Sequence, residues 1–151
     1  LSRCCMINFY EIVLDFDTWG FTPNGGVYQT FTNQTGGDSV QGTIVMQSAT
    51  YDNAVDIATA GSPLALGIIY EDNIANGSAV KVVVYGKAQV LLRVGQSVTR
   101  GQWCVLSNTA NGRMEEGSIT GTLLVSEYAK GIGISLEDNS SGLTWVQLQF
   151  N

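Results

Sequence analysis

An internal repeat is the feature that most limits how this chain can fold. The stretch GIIYEDN, which begins at Gly67, returns as GISLEDN from Gly133, an offset of 66 residues. The run after each copy, Val80–Val84 and Val146–Phe150, alternates apolar and polar residues on the same parity. A period of two is typical of a strand with one buried face. The sequence therefore predicts two related β-units.

A second match sets the extent of these units. The stretch GDSVQGTIV from Gly37 resembles GQSVTRGQWCV from Gly95, with an offset of about 58 once gaps are allowed. The units are predicted over 37–85 and 88–151, within one β-barrel domain at 37–151 that follows an N-terminal extension or arm at 1–36. The extra residues of the second copy are placed at Glu115–Thr122, because an insertion in a surface loop costs little chain entropy. Chance similarity is the alternative explanation.

The turn residues favour an all-β chain. Glycine occurs 18 times and proline twice, so turns depend mainly on Gly, Asn and Asp, as in Asn76-Gly77 and Asn111-Gly112. Regularly spaced strands of this kind predict a barrel or a double sheet. One short helical turn is predicted within Tyr51–Ala60. The predicted strands are Gly42–Gln47, Leu66–Tyr70, Val80–Tyr85, Lys87–Arg93, Gln102–Ser107, Thr122–Glu127, Ile132–Leu136 and Thr144–Phe150.

Charge and hydropathy limit the partners. The 151 residues are 44% hydrophobic, enough for one core or two small fused ones. A net charge of -6 without a Lys/Arg cluster predicts no nucleic-acid partner, because phosphate binding needs concentrated positive charge. No apolar run reaches the roughly 18 residues of a membrane span, and Leu1–Met6 is too short for a secretory signal. Met6 as the true start and further residues upstream of Leu1 both stay open.

The sequence contains no histidine, which removes the usual catalytic constellations. Ser-His-Asp and Cys-His nucleophiles and histidine-containing zinc sites are all excluded. Glu71-Asp72 and Glu137-Asp138 precede turns and are predicted to serve turn chemistry, with calcium binding and carboxylate catalysis as alternatives. Cys104 is predicted to be a small core residue, and the adjacent pair at positions 4 and 5 predicts nothing. No catalytic, cofactor-binding or metal-binding residue is assigned, and no enzyme is expected.

The glycines of residues 86–105 are predicted to be structural. A phosphate cradle needs a helix after its glycine-rich loop, and an apolar β-run follows Gly101 instead. The spacing G-x-x-V-x-x-G-Q also resembles lipoyl and biotinyl carrier domains, but no lysine of this chain lies in their modification motif. Gly95 and Gly101 are therefore expected to bend the chain between strands, Val98 to fill the core and Trp103 to cover one end of it.

Aromatic residues are concentrated in the predicted N-terminal extension. Residues 1–36 hold seven of the fourteen aromatics. Side chains of this size need burial, either on the chain's own barrel or on a neighbouring subunit, and both alternatives stay open. The seven are Phe9, Tyr10, Phe16, Trp19, Phe21, Tyr28 and Phe31.

Three segments carry a resemblance to a known family. They are GIIYEDNIANGSAVKVVVYGKAQVLL, GQSVTRGQWCVLSNTANG and the closing AKGIGISLEDNSSGLTWVQLQF. From about residue 37 to 150 the chain resembles the capsid cement, or head decoration, proteins of tailed bacteriophages. The resemblance implies a small β-barrel or tulip-like jelly roll, commonly a homotrimer, on the outer capsid surface of the virion, where it clamps subunits of the major capsid protein. It makes the seven aromatics candidates for capsid or subunit contact and implies no cofactor and no membrane partner.

Two other functions stay open. The first is a carbohydrate-binding or adhesion module on a virion or cell surface, in which exposed Trp and Tyr side chains stack on sugar rings. The second is a carboxylate-dependent glycosidase.

Overall fold

The computed structural model describes residues 18–117 and 128–150, and the fold is all-β and barrel-like, as predicted. Among these residues, helical geometry is limited to Tyr128 and Ala129. The ten strands are β1 (Trp19–Phe21), β2 (Gly26–Asn33), β3 (Ile44–Gln47), β4 (Ala54–Ile57), β5 (Gly67–Ile69), β6 (Ala79–Leu91), β7 (Trp103–Leu106), β8 (Met114–Glu116), β9 (Gly131–Ser135) and β10 (Leu143–Leu148).

Five strands close into a first ring. β2 pairs in parallel with β4, and antiparallel pairs then join β4 to β3, β3 to β5, β5 to β6, and β6 back to β2. Closure leaves no unpaired sheet edge within the ring. Apolar side chains from the strands form one core, and each fully buried one contributes about 1.5 to 3 kcal/mol. The buried members are Val45, Val55, Ile69, Val80 and Val82.

A second ring uses the C-terminal half of β6. Antiparallel pairs join β6 to β10, β10 to β9, β9 to β7 and β7 to β8, and a parallel bridge between Leu92 and Met114 closes the ring. Its core also includes Ile68 and Val83, which come from strands of the first ring. The two rings therefore share β6 and pack against each other.

The two rings are built alike. The first closes through the parallel pair Thr32 and Ala54, and the second through Leu92 and Met114, at an offset of 60 residues. The backbone amide of Gly42 donates a hydrogen bond to the carbonyl of Ile69, and the amide of Gly101 donates to the carbonyl of Ser135. The two acceptor residues are 66 positions apart. The second copy thus has six extra residues between β8 and β9, a span that includes most of the predicted insertion. Residues 118–127 of that span lie outside the described residues.

The first ring begins before the predicted start of the first unit. The prediction sets that start at residue 37, whereas Gly26–Asn33 already forms β2 and pairs with β4 and β6. The described part of the predicted extension, residues 18–36, therefore contributes β1 and β2 to the same sheet. The division of the chain into an extension and a barrel domain stays a prediction.

Most predicted strands are present. β3, β5, β7, β9 and β10 each overlap their predicted segments. The predicted separation of Val80–Tyr85 from Lys87–Arg93 is wrong, because Ala79–Leu91 is one strand. Gly86, which suggested a break, has a φ of +85° but remains paired with Gly26. Thr122–Glu127 lies outside the described residues.

The predicted helical turn within Tyr51–Ala60 is also wrong. Ala54–Ile57 forms β4, in which Ala54 and Val55 are buried, because pairing with β3 and β2 outweighs the weak local preference of these residues. Both Asn-Gly dipeptides do form turns, and Gly77 and Gly112 have φ values of +89° and +67°.

Val98 fills the core as predicted, and it is 3% exposed. The sequence match between GDSV and GQSV aligns Val40 with Val98, but the structural counterpart of Val98 is Ser39. The backbone amides of Asn73 and Asn139 donate to the carbonyls of Ser39 and Val98, respectively. Val40 is half-exposed at 52%, and the gap in the sequence match therefore lies before Ser39 and not after Val40.

Candidate interaction surface

The structure separates the seven predicted contact aromatics into three groups. Two project from the sheet, two pack into the chain's own cores and three lie outside the described residues. The first group is Trp19 and Phe21, the second is Tyr28 and Phe31, and the third is Phe9, Tyr10 and Phe16.

Tyr28 and Phe31 belong to the fold itself. The Tyr28 side chain is 6% exposed and lies so close to Gly20 that a Cβ there would be 2.6 Å from the phenol oxygen. The ammonium of Lys81 is 5.1 Å from the centre of the same ring, a cation–π distance. Phe31 packs against the core of the first ring. Burial on the chain's own barrel therefore accounts for these two aromatics.

Trp19 and Phe21 form an exposed pair on β1. Their ring centroids are 5.6 Å apart with an interplanar angle of 78°, the edge-to-face geometry that aromatic rings favour. Phe21 is 67% exposed and Trp19 36%. Gly20 lies between them, faces the opposite side of β1 and allows the strand to approach Tyr28.

The exposed aromatic pair continues across the sheet. Phe21 lies directly opposite Val27 on β2, and Val27 lies opposite Tyr85 on β6. Directly opposed residues of antiparallel strands have Cβ atoms about 4.5 to 5.5 Å apart, so these side chains form a row. Tyr85 is 68% exposed. We call Trp19, Phe21, Val27 and Tyr85 the edge patch.

Tyr85 is the member of the edge patch that the sequence analysis missed. Its parity is opposite to that of Val80, Val82 and Val84, which pack in or against the first core. A bulge between Val83 and Tyr85 breaks the alternation of the strand there, because Val83 pairs with Tyr28 and Tyr85 pairs with Val27. Alternation along Val80–Tyr85 therefore does not show from the sequence which side Tyr85 faces.

The two Glu-Asp pairs serve turn chemistry, as predicted. Each aspartate accepts a hydrogen bond from the backbone amide of the residue before a turn glycine. Each glutamate accepts a hydrogen bond from a backbone amide of the strand that follows. For the first pair the donors are Gln41 to Asp72 (2.7 Å) and Lys81 to Glu71 (3.0 Å); for the second they are Arg100 to Asp138 (2.8 Å) and Trp145 to Glu137 (3.1 Å). These carboxylates hold the equivalent loop of each ring to its strands.

Cys104 is a core residue, as predicted. It is completely buried, and burial, followed by the negative charge of Glu116, raises the pKa of its thiol to about 12. A thiol with such a pKa is neutral at physiological pH and is a poor nucleophile.

Neither a metal-ligand cluster nor a membrane-spanning helix is found among the described residues. Across residues 18–117 and 128–150, no three His, Cys, Asp or Glu side chains lie close enough together to hold a metal ion. The same residues include no helix of the length and hydrophobicity needed to span a bilayer.

Comparison with known proteins identifies the fold. No protein-family model and no curated protein matches the sequence. Among solved structures, the head fiber gp8.5 N base of bacteriophage phi29 is 13% identical with a TM-score of 0.56, over 82% of this chain and 94% of that one. A chain from the capsid of Myoviridae phage XM1 is 16% identical with a TM-score of 0.52, over 89% and 91%. The chain therefore shares its fold with proteins of a phage head fiber and a phage capsid.

Proposed function

We propose that this chain is a structural protein of a tailed-phage head that decorates the outer capsid surface and stabilises it by bridging major capsid protein subunits. The observation that carries the proposal is the fold, which extends over more than four fifths of the chain and is shared with a head fiber base and a capsid chain. The chemistry of the chain agrees with this role, because both Glu-Asp pairs are occupied in holding backbone amides.

The edge patch is the proposed capsid contact. An aromatic side chain buries about 150 to 250 Å² when it is fully covered, and Phe21 and Tyr85 still expose about two thirds of their surface. At about 25 cal/mol per Å², covering the rest contributes roughly 2.5 to 4 kcal/mol for each ring. Two such rings on either side of Val27 suit the centre of an interface, where aromatic residues carry most of the binding energy.

A homotrimer is the proposed assembly. A protein that bridges capsid subunits needs at least two contacts at the same time. Linked contacts also bind more tightly than single ones, because the second contact forms within the same complex. Light scattering on the purified chain measures this directly, and a mass of three chains is expected.

Binding to heads tests the proposed function. Phage heads that lack the chain are incubated with purified protein and sedimented, and the bound fraction is measured. Wild-type protein is expected to sediment with the heads, and failure to do so would refute the decoration role.

A matched pair of variants tests the edge patch separately. The double variant Phe21→Ala/Tyr85→Ala is expected to bind at least about 30-fold more weakly, which corresponds to the loss of about 2 kcal/mol from one contact centre. Tyr51→Ala removes an aromatic that is 56% exposed in the β3–β4 hairpin, outside the patch, and is expected to bind like wild type. If the patch variant also binds like wild type, another surface makes the contact although the decoration role survives.

A further inference from the structure

A cleft lies where the two rings meet, apart from the edge patch. We call it the junction cleft. The cleft has a volume of about 70 Å³. A cavity of about 150 Å³ holds one benzene ring, so the junction cleft admits the edge of a single small ring and not an extended chain. Its polar and aromatic lining comes from both rings, through Asn24, Gln41, Tyr70, Lys87, Gln89 and Trp145.

Amide side chains face each other across the junction cleft. The Nε2 atom of Gln41 is 3.5 Å from Oε1 of Gln89, at the long limit of a hydrogen bond. Within the described residues this is the one hydrogen bond made by either side chain. Each amide can donate twice and accept twice, so donors and acceptors of both remain available to a ligand. Asn24 adds a third amide and Tyr70 a hydroxyl.

Trp145 supplies an aromatic surface beside these amides. It lies on β10 directly opposite Gln89, so the strand register sets the indole next to one of the amides. The ammonium of Lys87 lies over one face of the indole, 4.8 Å from its centre. Both residues are half-buried.

The two rings differ at Gln41. Its counterpart in the second ring is Arg100, and the backbone amides of both donate to an aspartate. The Arg100 side chain pairs with that aspartate at 2.8 Å, whereas the Gln41 side chain reaches toward Gln89 across the cleft. The turn thus needs only the backbone amide at this position, and the amide side chain of Gln41 is free to serve the cleft.

We propose that the junction cleft binds one neutral sugar residue. Hydroxyl groups of a pyranose both donate and accept hydrogen bonds, as the facing amides require, and its C–H groups pack against an indole. The lining has no carboxylate to pair with a cationic ligand, and a sugar hydroxyl can accept a hydrogen bond from its one ammonium, that of Lys87. The proposed sugar site does not depend on the proposed decoration role, so sugar binding is expected whether or not the chain binds a capsid.

Saturation-transfer NMR with single sugars tests the site. Purified protein is mixed with D-glucose, D-galactose or N-acetylglucosamine at millimolar concentration, and transfer to the sugar protons is measured. At least one of the three is expected to receive saturation, with a dissociation constant in the millimolar range. Absence of transfer to all three would overturn the proposal.

Variants locate the binding. Gln41→Ala and Gln89→Ala are each expected to weaken it about five-fold, the effect of one lost hydrogen bond. Gln147→Ala, on the same strand as Trp145 but outside the lining, serves as the control and is expected to bind like wild type. Amide proton spectra confirm that each variant is folded. Equal binding by Gln89→Ala and wild type would place the sugar elsewhere and overturn the proposal.

Discussion

Replacing Gly86 with alanine tests the junction of the two rings. Gly86 lies in the middle of β6, the strand that both rings share, and has a φ of +85°. A Cβ at this position would collide with the carbonyl oxygen of Gly25, which accepts a hydrogen bond from the backbone amide of Lys87 at 3.3 Å. The substitution therefore adds a strained backbone conformation and forces the turn before β2 away from β6.

The size of the effect follows from these two terms. A left-handed conformation costs an alanine about 1 to 2 kcal/mol. Displacing closely packed groups typically costs a further 1 to 3 kcal/mol. Gly86→Ala is therefore expected to lower the free energy of unfolding by about 2 to 5 kcal/mol. For a chain of this length, Tm is expected to fall by roughly 4 to 20 °C.

Gly95→Ala is the matched control for this experiment. Gly95 has nearly the same φ, +82°, but a Cβ there meets no atom within 4 Å. Its expected cost is the backbone term alone, about 1 to 2 kcal/mol. Alanine also restricts the unfolded chain by a similar amount at both sites, so that effect cancels in the comparison. Urea denaturation of both variants gives the difference, and equal losses would refute the close approach of β2 and β6 at Gly86.

Three further predictions concern the carboxylates and the buried thiol. Glu71→Ala and Glu137→Ala are each expected to lower the free energy of unfolding in urea by about 1.5 to 3 kcal/mol, because a strand amide loses a charged acceptor; a loss in only one variant would contradict the equivalence of the rings. Arg100 holds the pKa of Asp138 below its usual value through a hydrogen bond, so the stabilising contribution is present above the unfolded pKa of about 3.9 and is lost as pH falls through the lower folded value. Between about pH 4 and 2, Tm is expected to fall more steeply for wild type than for Arg100→Gln, and parallel curves would exclude the contribution. In a background with both N-terminal cysteines changed to serine, Cys104 is expected to resist iodoacetamide at pH 8 until the protein unfolds, and rapid labelling of folded protein would show that the thiol is accessible.

The sequence predicts the repeated parts of the fold well because they rest on local patterns. The alternation in Val80–Val84 and Val146–Phe150 predicts a buried strand face, and both segments overlap strands of the structure. Asn-Gly dipeptides likewise act locally and predict turns. The Glu-Asp pairs could be assigned to turn chemistry because the same short stretch occurs twice at the same place relative to a strand.

Long-range pairing accounts for what the sequence did not predict. β4 is short of local signals, and the parallel pair of β2 and β4 at Thr32 and Ala54 closes the first ring through contacts that no sequence window includes. Gly86 suggests a break by local rules, yet pairing with β2 keeps it within β6. Tyr85 and Trp19 are far apart in sequence, so the edge patch depends on strand register and could not be assembled from the sequence alone.

The duplication also distinguishes residues that serve the fold from residues available for other roles. Gly42 and Gly101 occur at equivalent positions and make equivalent hydrogen bonds, which is expected of groups that each ring needs for its own closure. Trp19 and Phe21 lie on β1, which pairs with β2 and is not one of the strands that close either ring. Gln41 keeps the backbone role of its counterpart but carries a different side chain. The proposed interaction sites therefore lie where the two copies differ, because substitution there leaves the hydrogen bonds that close each ring intact.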